Sequence, residues 1–175
     1  MTKWTFEREE FKELILFIAW RCDDDPAFGD TYLNKVLFFS DALALQNFGR
    51  PITGARYQKL KWGPGPRALL PVREEMVREG LLTVETIGDR RVTRAVRDAK
   101  PVFSEEQIEL VEKVIEAFRG IWAIHVSDAS HELSPGWNLV EVGEDIPLES
   151  QLISTRPLPE AHLQRGRELA ERYGW

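Results

Sequence analysis

Residues 30–49 read Asp-Thr-Tyr-Leu-Asn-Lys-Val-Leu-Phe-Phe-Ser-Asp-Ala-Leu-Ala-Leu-Gln-Asn-Phe-Gly, and this stretch decides the architecture. Apolar residues at 33, 36–39 and 42–45 leave little polar surface around a helix, the pattern of a helix covered on all sides. Asp30 is the expected N-cap, its side chain accepting from a free N–H of the first turn. Gly49 supplies the left-handed position that ends the helix, and Pro51 prevents its resumption.

A buried central helix needs partners, and the flanking sequence supplies them. Phe11, Leu14, Ile15, Ile18, Ala19 and Cys22 form one amphipathic stripe, predicting a helix over 6–22 that stops at Asp23-Asp24-Asp25-Pro26. Residues 55–62 alternate loosely, with Tyr57 and either Leu60 or Trp62 inward, and Gly63-Pro64-Gly65-Pro66 reads as a rigid turn. Leu69, Val72, Met76 and Val77 give helical spacing over 67–78, ended by Gly80. Leu81–Ile87 and Arg91–Arg97 are β-prone around Gly88-Asp89-Arg90, a hairpin signal. Ser104 with Gln107 is a capping-box pair opening a helix whose stripe is Ile108, Val111, Ile115, Phe118 and Trp122. A shorter helix is expected over 123–133, irregular chain over 143–157 and a last helix over 160–173. The fold class is mainly α with a small β-hairpin (α+β), a compact helical domain with a winged-helix-like helix plus hairpin.

The 175 residues fit one core. Residues 1–150 form the expected domain, with 151–175 a C-terminal extension and helix packed on it. Hydrophobic residues make up 43% and charged residues 30%, which excludes a disordered acidic tail. The longest apolar run, Leu14–Trp20, is too short for a bilayer, which needs about 20 residues. The acidic, apolar-poor N-terminus does not read as a signal peptide. A single cysteine, Cys22, excludes an internal disulfide and suits a reducing compartment. The expected location is the cytoplasm, with no membrane partner.

The net charge is −6, yet residues 50–100 carry 12 Lys and Arg against 6 Asp and Glu, while the remainder carries 11 against 23. Solvated helix faces of alternating sign explain such a division, and so does a basic docking surface for an acidic partner. On the second reading the candidate contacts are Arg56, Lys59, Lys61 and Arg67, with Arg90, Arg91 and Arg94 of the hairpin.

No catalytic set assembles from the residue types. His125 and His131 lie about 240° apart around a helix and do not face together as a metal pair would, so no metal and no cofactor are expected. Cys22 sits on an apolar stripe as a small hydrophobe. The prolines of Gly63–Pro66 lack the N–H donors of a phosphate cradle. Arg50, in the turn 49–54, invites an anion-clamp reading, against which stands its plainer role in a helix-ending turn.

Three segments carry a resemblance. Leu33-Asn-Lys-Val-Leu-Phe-Phe-Ser-Asp41, then Phe48-Gly-Arg-Pro-Ile-Thr-Gly-Ala-Arg-Tyr57, then Trp62-Gly-Pro-Gly-Pro66 resemble the Panacea domain, the SocA-like antitoxin family. Ser130-His131-Glu132 followed by Trp137 looks like that family's second signature. The motif positions are Gly49, Arg50, Pro51, Thr53, Gly54, Tyr57, Gly63, Pro64, His131 and Trp137. Gly65 departs from the family, which often has a bulkier apolar residue there, and the chain beyond about 150 is outside the likeness.

The resemblance implies a non-catalytic helical domain that neutralises a cognate toxin protein by direct binding, or that hands the toxin to a protease as an adaptor. Bacterial or prophage origin follows from the same likeness. The alternative is a winged-helix-like DNA-binding regulator, motivated by the helix-then-hairpin pattern and the basic segment; weak DNA binding can also accompany the antitoxin role. An enzyme centred on His131 with Asp128 is the third reading.

Overall fold

A computed structural model describes residues 4–122, 134–153 and 160–173. In chain order it has α1 (Arg8–Arg21), α2 (Asp30–Phe48), β1 (Tyr57–Leu60), β2 (Gly63–Pro66), α3 (Leu69–Arg78), β3 (Leu82–Ile87) and β4 (Arg90–Ala95). There follow α4 (Glu105–Phe118), a single turn α5 (Pro135–Asn138), β5 (Asp145–Ile146), a 3₁₀ turn at Leu148–Leu152, and α6 (Glu160–Tyr173). The helix expected over 123–133, with His125 and His131, lies outside the described residues.

α2 is the hub, packed by α1, α4, β2, β4 and the 3₁₀ turn. Leu33, Val36, Leu37 and Phe38 have no exposed surface, because these elements cover the helix from several sides. The α1 stripe is buried as its spacing predicts, but Leu16 and Phe17 beside it are buried too. The reason is that α1 has α2 on one flank and β4, α3 and α4 on others. Cys22 lies in this core with its thiol pushed up to about 12 by burial, the behaviour of a packing residue and not of a nucleophile.

Asp30 does not cap α2. The N-cap is Gly29, and Asp30 opens the helix while its carboxylate turns to the guanidinium of Arg73 on α3, which is 2% exposed. Arg73 makes a second contact of 3.3 Å to Asp30 and another of 3.3 Å to Thr93 Oγ1 on β4. One buried cation thus holds α3 and the β3–β4 hairpin to the start of α2. Arg73→Ala is expected to cost about 3 kcal/mol, because it strands a half-buried carboxylate and opens a cavity. A double-mutant cycle with Asp30→Asn should return a coupling above about 1 kcal/mol in urea denaturation; simple additivity would show that the pair does not couple.

Residues 63–66 are not a turn but strand β2, buried throughout and paired with β1 in the register Tyr57↔Pro66 to Leu60↔Gly63. The turn is one step earlier, at Lys61-Trp62. Pro64 and Pro66 occupy alternate positions whose nitrogens face away from β1, as the flanking bond from Arg67 N to Arg56 O (2.9 Å) fixes. β2 is an edge strand, so the missing donors cost the sheet nothing. β1 takes β5 on its other side. A side chain at Gly65 would meet Leu60 Cδ1 at 2.6 Å and Asn34 Oδ1 at 3.1 Å, so Leu60 and Asn34 already fill the space of the bulkier family residue.

The second sheet is the expected hairpin, β3 paired with β4 across Gly88-Asp89, with Gly88 at φ +64°. The capping box of α4 forms reciprocally: Gln107 N donates to Ser104 Oγ (3.2 Å) and Ser104 N to Gln107 Oε1 (2.9 Å). Its stripe ends at Phe118; Trp122 lies beyond Gly120 (φ +71°), is 52% exposed, and stacks under the guanidinium of Arg90. No described helix is long and apolar enough to cross a membrane.

Candidate functional site

The segment after α2 folds back onto the helix that precedes it. Gly49 caps α2 in the left-handed region (φ +73°), and Gly54 (φ +65°) lies where a Cβ would come within 2.2 Å of the Thr5 carbonyl oxygen. Between them Thr53 turns inward. Its N–H donates to Asp41 Oδ1 (2.8 Å) and its hydroxyl to Asp41 Oδ2 (2.5 Å). The Tyr57 hydroxyl lies 2.9 Å from Asp41 Oδ2 and 2.9 Å from the Leu37 carbonyl. Asp41, Thr53 and Tyr57 have 0%, 0% and 1% exposure. The motif residues therefore meet in a sealed polar knot between α2 and β1.

Burial pushes the Asp41 carboxyl above its ordinary range, against the pull of the Thr53 and Tyr57 hydrogen bonds. Burial, and then the Asp41 charge, push the Tyr57 phenol well above its own. Thr53 and Tyr57 are positions named from the sequence; Asp41, their hub, is not. Its signal was a lone carboxylate in an otherwise apolar helix, which only a buried partner set can satisfy.

The second signature brings Trp137 of α5 against Lys59, whose ammonium is 4.1 Å from the ring centroid and donates to the Val140 carbonyl (2.8 Å). Gly136 fits because a Cβ there would collide with Ser150 Oγ at 2.0 Å. Gly63 and Pro64 lie in β2 as described. His131 is outside the described residues.

The basic residues divide between two sheets. Arg56 and Arg67 converge on Asp145 of β5, and Arg67 also bonds Gln58 (2.9 Å). Burial raises the Asp145 carboxyl, and the two arginines outweigh it and hold it below the usual value. Lys61 lies over the Trp62 ring at 4.7 Å. On the hairpin, Arg90 donates to the Phe28 carbonyl (3.0 Å), Arg94 to Asp23 (3.0 Å), and Arg91 approaches Asp30 at 3.9 Å. Arg97, further along, is 2.7 Å from buried Glu13 of α1. The carboxylates of the central segment are spent the same way, with Lys12 of α1 at 2.6 Å from Glu75 and 3.1 Å from Glu79. The charge division along the sequence closes on itself in space. Asp145→Asn is expected to change stability by less than about 1 kcal/mol, because these pairs are exposed, and a thermal melt checks it.

Arg50 stands apart, exposed at the mouth of a polar pocket of about 510 Å³ that Glu7, Glu10 and Gln107 also line. Among the described residues no group of three or more His, Cys, Asp or Glu could hold a metal ion.

A buried polar knot that shapes a loop, and a surface of paired charges, define a scaffold domain and not a cavity built around a reacting group. Residues 33–138 match the family model described as antitoxin SocA-like, Panacea domain, and the chain belongs to that family. Comparison with curated proteins gives no match, and neither does comparison with solved structures.

Proposed function

We propose that this chain is an antitoxin that neutralises a cognate toxin by binding it directly and that it transforms no substrate. The observation that carries the reading is membership of the antitoxin family over residues 33–138. The inward placement of Thr53 and Tyr57 supports it: these motif residues hold the loop to α2 and leave recognition to the surface. Handing the toxin to a protease is the finer form of the same reading.

The DNA-binding alternative has less behind it. In a winged-helix arrangement α3 would enter the groove, yet its exposed residues include Leu70, Pro71, Glu74 and Val77, a poor match for phosphates and base edges. The hairpin arginines that would form the wing are engaged with Asp23 and the Phe28 carbonyl.

Expression of the neighbouring open reading frame alone should arrest growth, and co-expression of this chain should restore it. Equal arrest with and without the chain refutes neutralisation. A toxin half-life shortened by the chain identifies the adaptor form; an unchanged half-life in a stable complex identifies direct inhibition.

A further inference from the structure

With the cations of residues 50–100 largely turned to internal partners, the excess negative charge of the chain concentrates on one helix. α4 exposes Glu105, Glu106, Glu109, Glu112 and Glu116, against the single lysine Lys113, itself 2.7 Å from Glu109. Beside this ridge runs an open groove of about 330 Å³ between α2 and α4, lined by Phe39, Leu43, Val114, Ala117 and Phe118. Its end is closed by Gln46 and Gln151. The Gln46 amide donates to the Gln151 carbonyl, and the Gln151 amide lies 3.1 Å from buried Ser134 Oγ. A small ligand would find few polar groups there to orient it. A macromolecular partner would find an apolar seat bordered by one sign of charge.

The geometry points to the α2–α4 groove, with the acidic ridge of α4, as the docking surface for a cationic amphipathic helix of the partner protein. The inference rests on the antitoxin reading, with the toxin as that partner. Apolar side chains of such a helix fill the groove at the spacing of one helix face, and its Lys and Arg residues lie over Glu109, Glu112 and Glu116. The acidic ridge speeds encounter and rejects acidic helices, while the groove holds the complex once formed. This places the partner's charge opposite to that expected from the basic segment of the sequence.

Two variants separate groove from field. Ala117→Glu, at an exposed position, obstructs the groove while making the ridge more acidic. Glu109→Lys with Glu116→Lys reverses the field and leaves the groove open. The probes are a synthetic amphipathic helix of leucine and lysine and its leucine and glutamate counterpart, titrated by fluorescence anisotropy onto the full chain. The fold of each variant is checked by circular dichroism.

The lysine helix should bind, and the glutamate helix should bind at least about tenfold more weakly. Ala117→Glu should lose about tenfold in affinity, the size of one anchor, and the double reversal should lose affinity together with its salt dependence. Unchanged or tighter binding by Ala117→Glu would reduce the contact to charge alone and overturn the proposal. So would a dimer of the free chain that Ala117→Glu dissolves, since the groove would then belong to a second copy. In the growth assay Ala117→Glu should fail to rescue. Failure of the native chain to rescue would sink the antitoxin reading, while the peptide titration still decides the groove.

Discussion

Asp41→Ala is expected to destabilise the protein by about 3–5 kcal/mol, enough to unfold a domain of ordinary stability. The carboxyl is fully buried and accepts from the Thr53 N–H and hydroxyl while lying within hydrogen-bond distance of the Tyr57 hydroxyl. Alanine removes every one of these acceptors. The Thr53 N–H is left without a partner in a dry interior, and the loop 49–56 loses what folds it onto α2. Asp41→Asn is the informative control. Its carbonyl can still accept from Thr53 N, and its amide can donate to the Thr53 or Tyr57 oxygen while Tyr57 donates to Leu37, so it should cost far less than alanine. The pH dependence has a definite sign. Because the folded carboxyl titrates above the unfolded value of 3.8, the folded state holds this proton more tightly. Asp41 therefore makes stability fall as pH rises from about 3.8 to the folded pKa, and the difference is constant above it. Urea denaturation of both variants between about pH 3 and 7 checks this: equal losses for Ala and Asn, or an acid limb that Asn leaves unchanged, would contradict it.

Much of the backbone was legible because one physical signal dominated each element. The all-apolar circumference of α2, the 3–4 spacing of α1 and the reciprocal capping box of α4 are local patterns whose reading needs no tertiary information. The departures come from residues whose role is set by distant chain. Asp30 reads as an N-cap until Arg73, 43 positions on, claims it. Gly63–Pro66 reads as a turn because proline punctuates chains; its place as a strand depends on alternate nitrogens falling on the open side of an edge, a matter of register. Trp122 continues the α4 stripe by number, but Gly120 has already ended the helix.

The charges teach the same lesson about the site. A one-dimensional window counts cations, but Glu13, Asp23 and Asp145, which meet Arg97, Arg94 and Arg56, lie in other windows. Opposite segment charges are then a signature of chain parts that dock on each other, as well as of a face for a partner. Of the motif, the sequence identified Thr53 and Tyr57 but not that they serve Asp41, because hydrogen-bond partnership across 12 and 16 residues leaves no periodic trace.

Lys35→Met is expected to stabilise the protein by roughly 2–4 kcal/mol below pH 7, the reverse of what most core substitutions do. Lys35 is 1% exposed on α2, its ammonium donates to the Trp62 carbonyl, and burial pulls its pKa down to about 7. No carboxylate offsets that cost. At low pH the amine is charged in both folded and unfolded chains, and the folded state bears the whole desolvation penalty. From about pH 7 to the ordinary lysine value of 10.5 the unfolded chain keeps a proton that the folded chain has released, so Lys35 makes stability climb with pH. Methionine has nearly the same length and no charge to desolvate. It forfeits one hydrogen bond, worth about 1 kcal/mol, at a turn whose Trp62 side chain is half in solvent. The two stability curves should therefore lie furthest apart in acid and converge as pH approaches 10.5; denaturation at about pH 6, 8 and 10 measures the gap. A methionine variant that is weaker at every pH, with an unchanged gap, would mean that the ammonium has an anionic partner. The core of α2 would then be held by a buried ion pair and not strained by a lone cation.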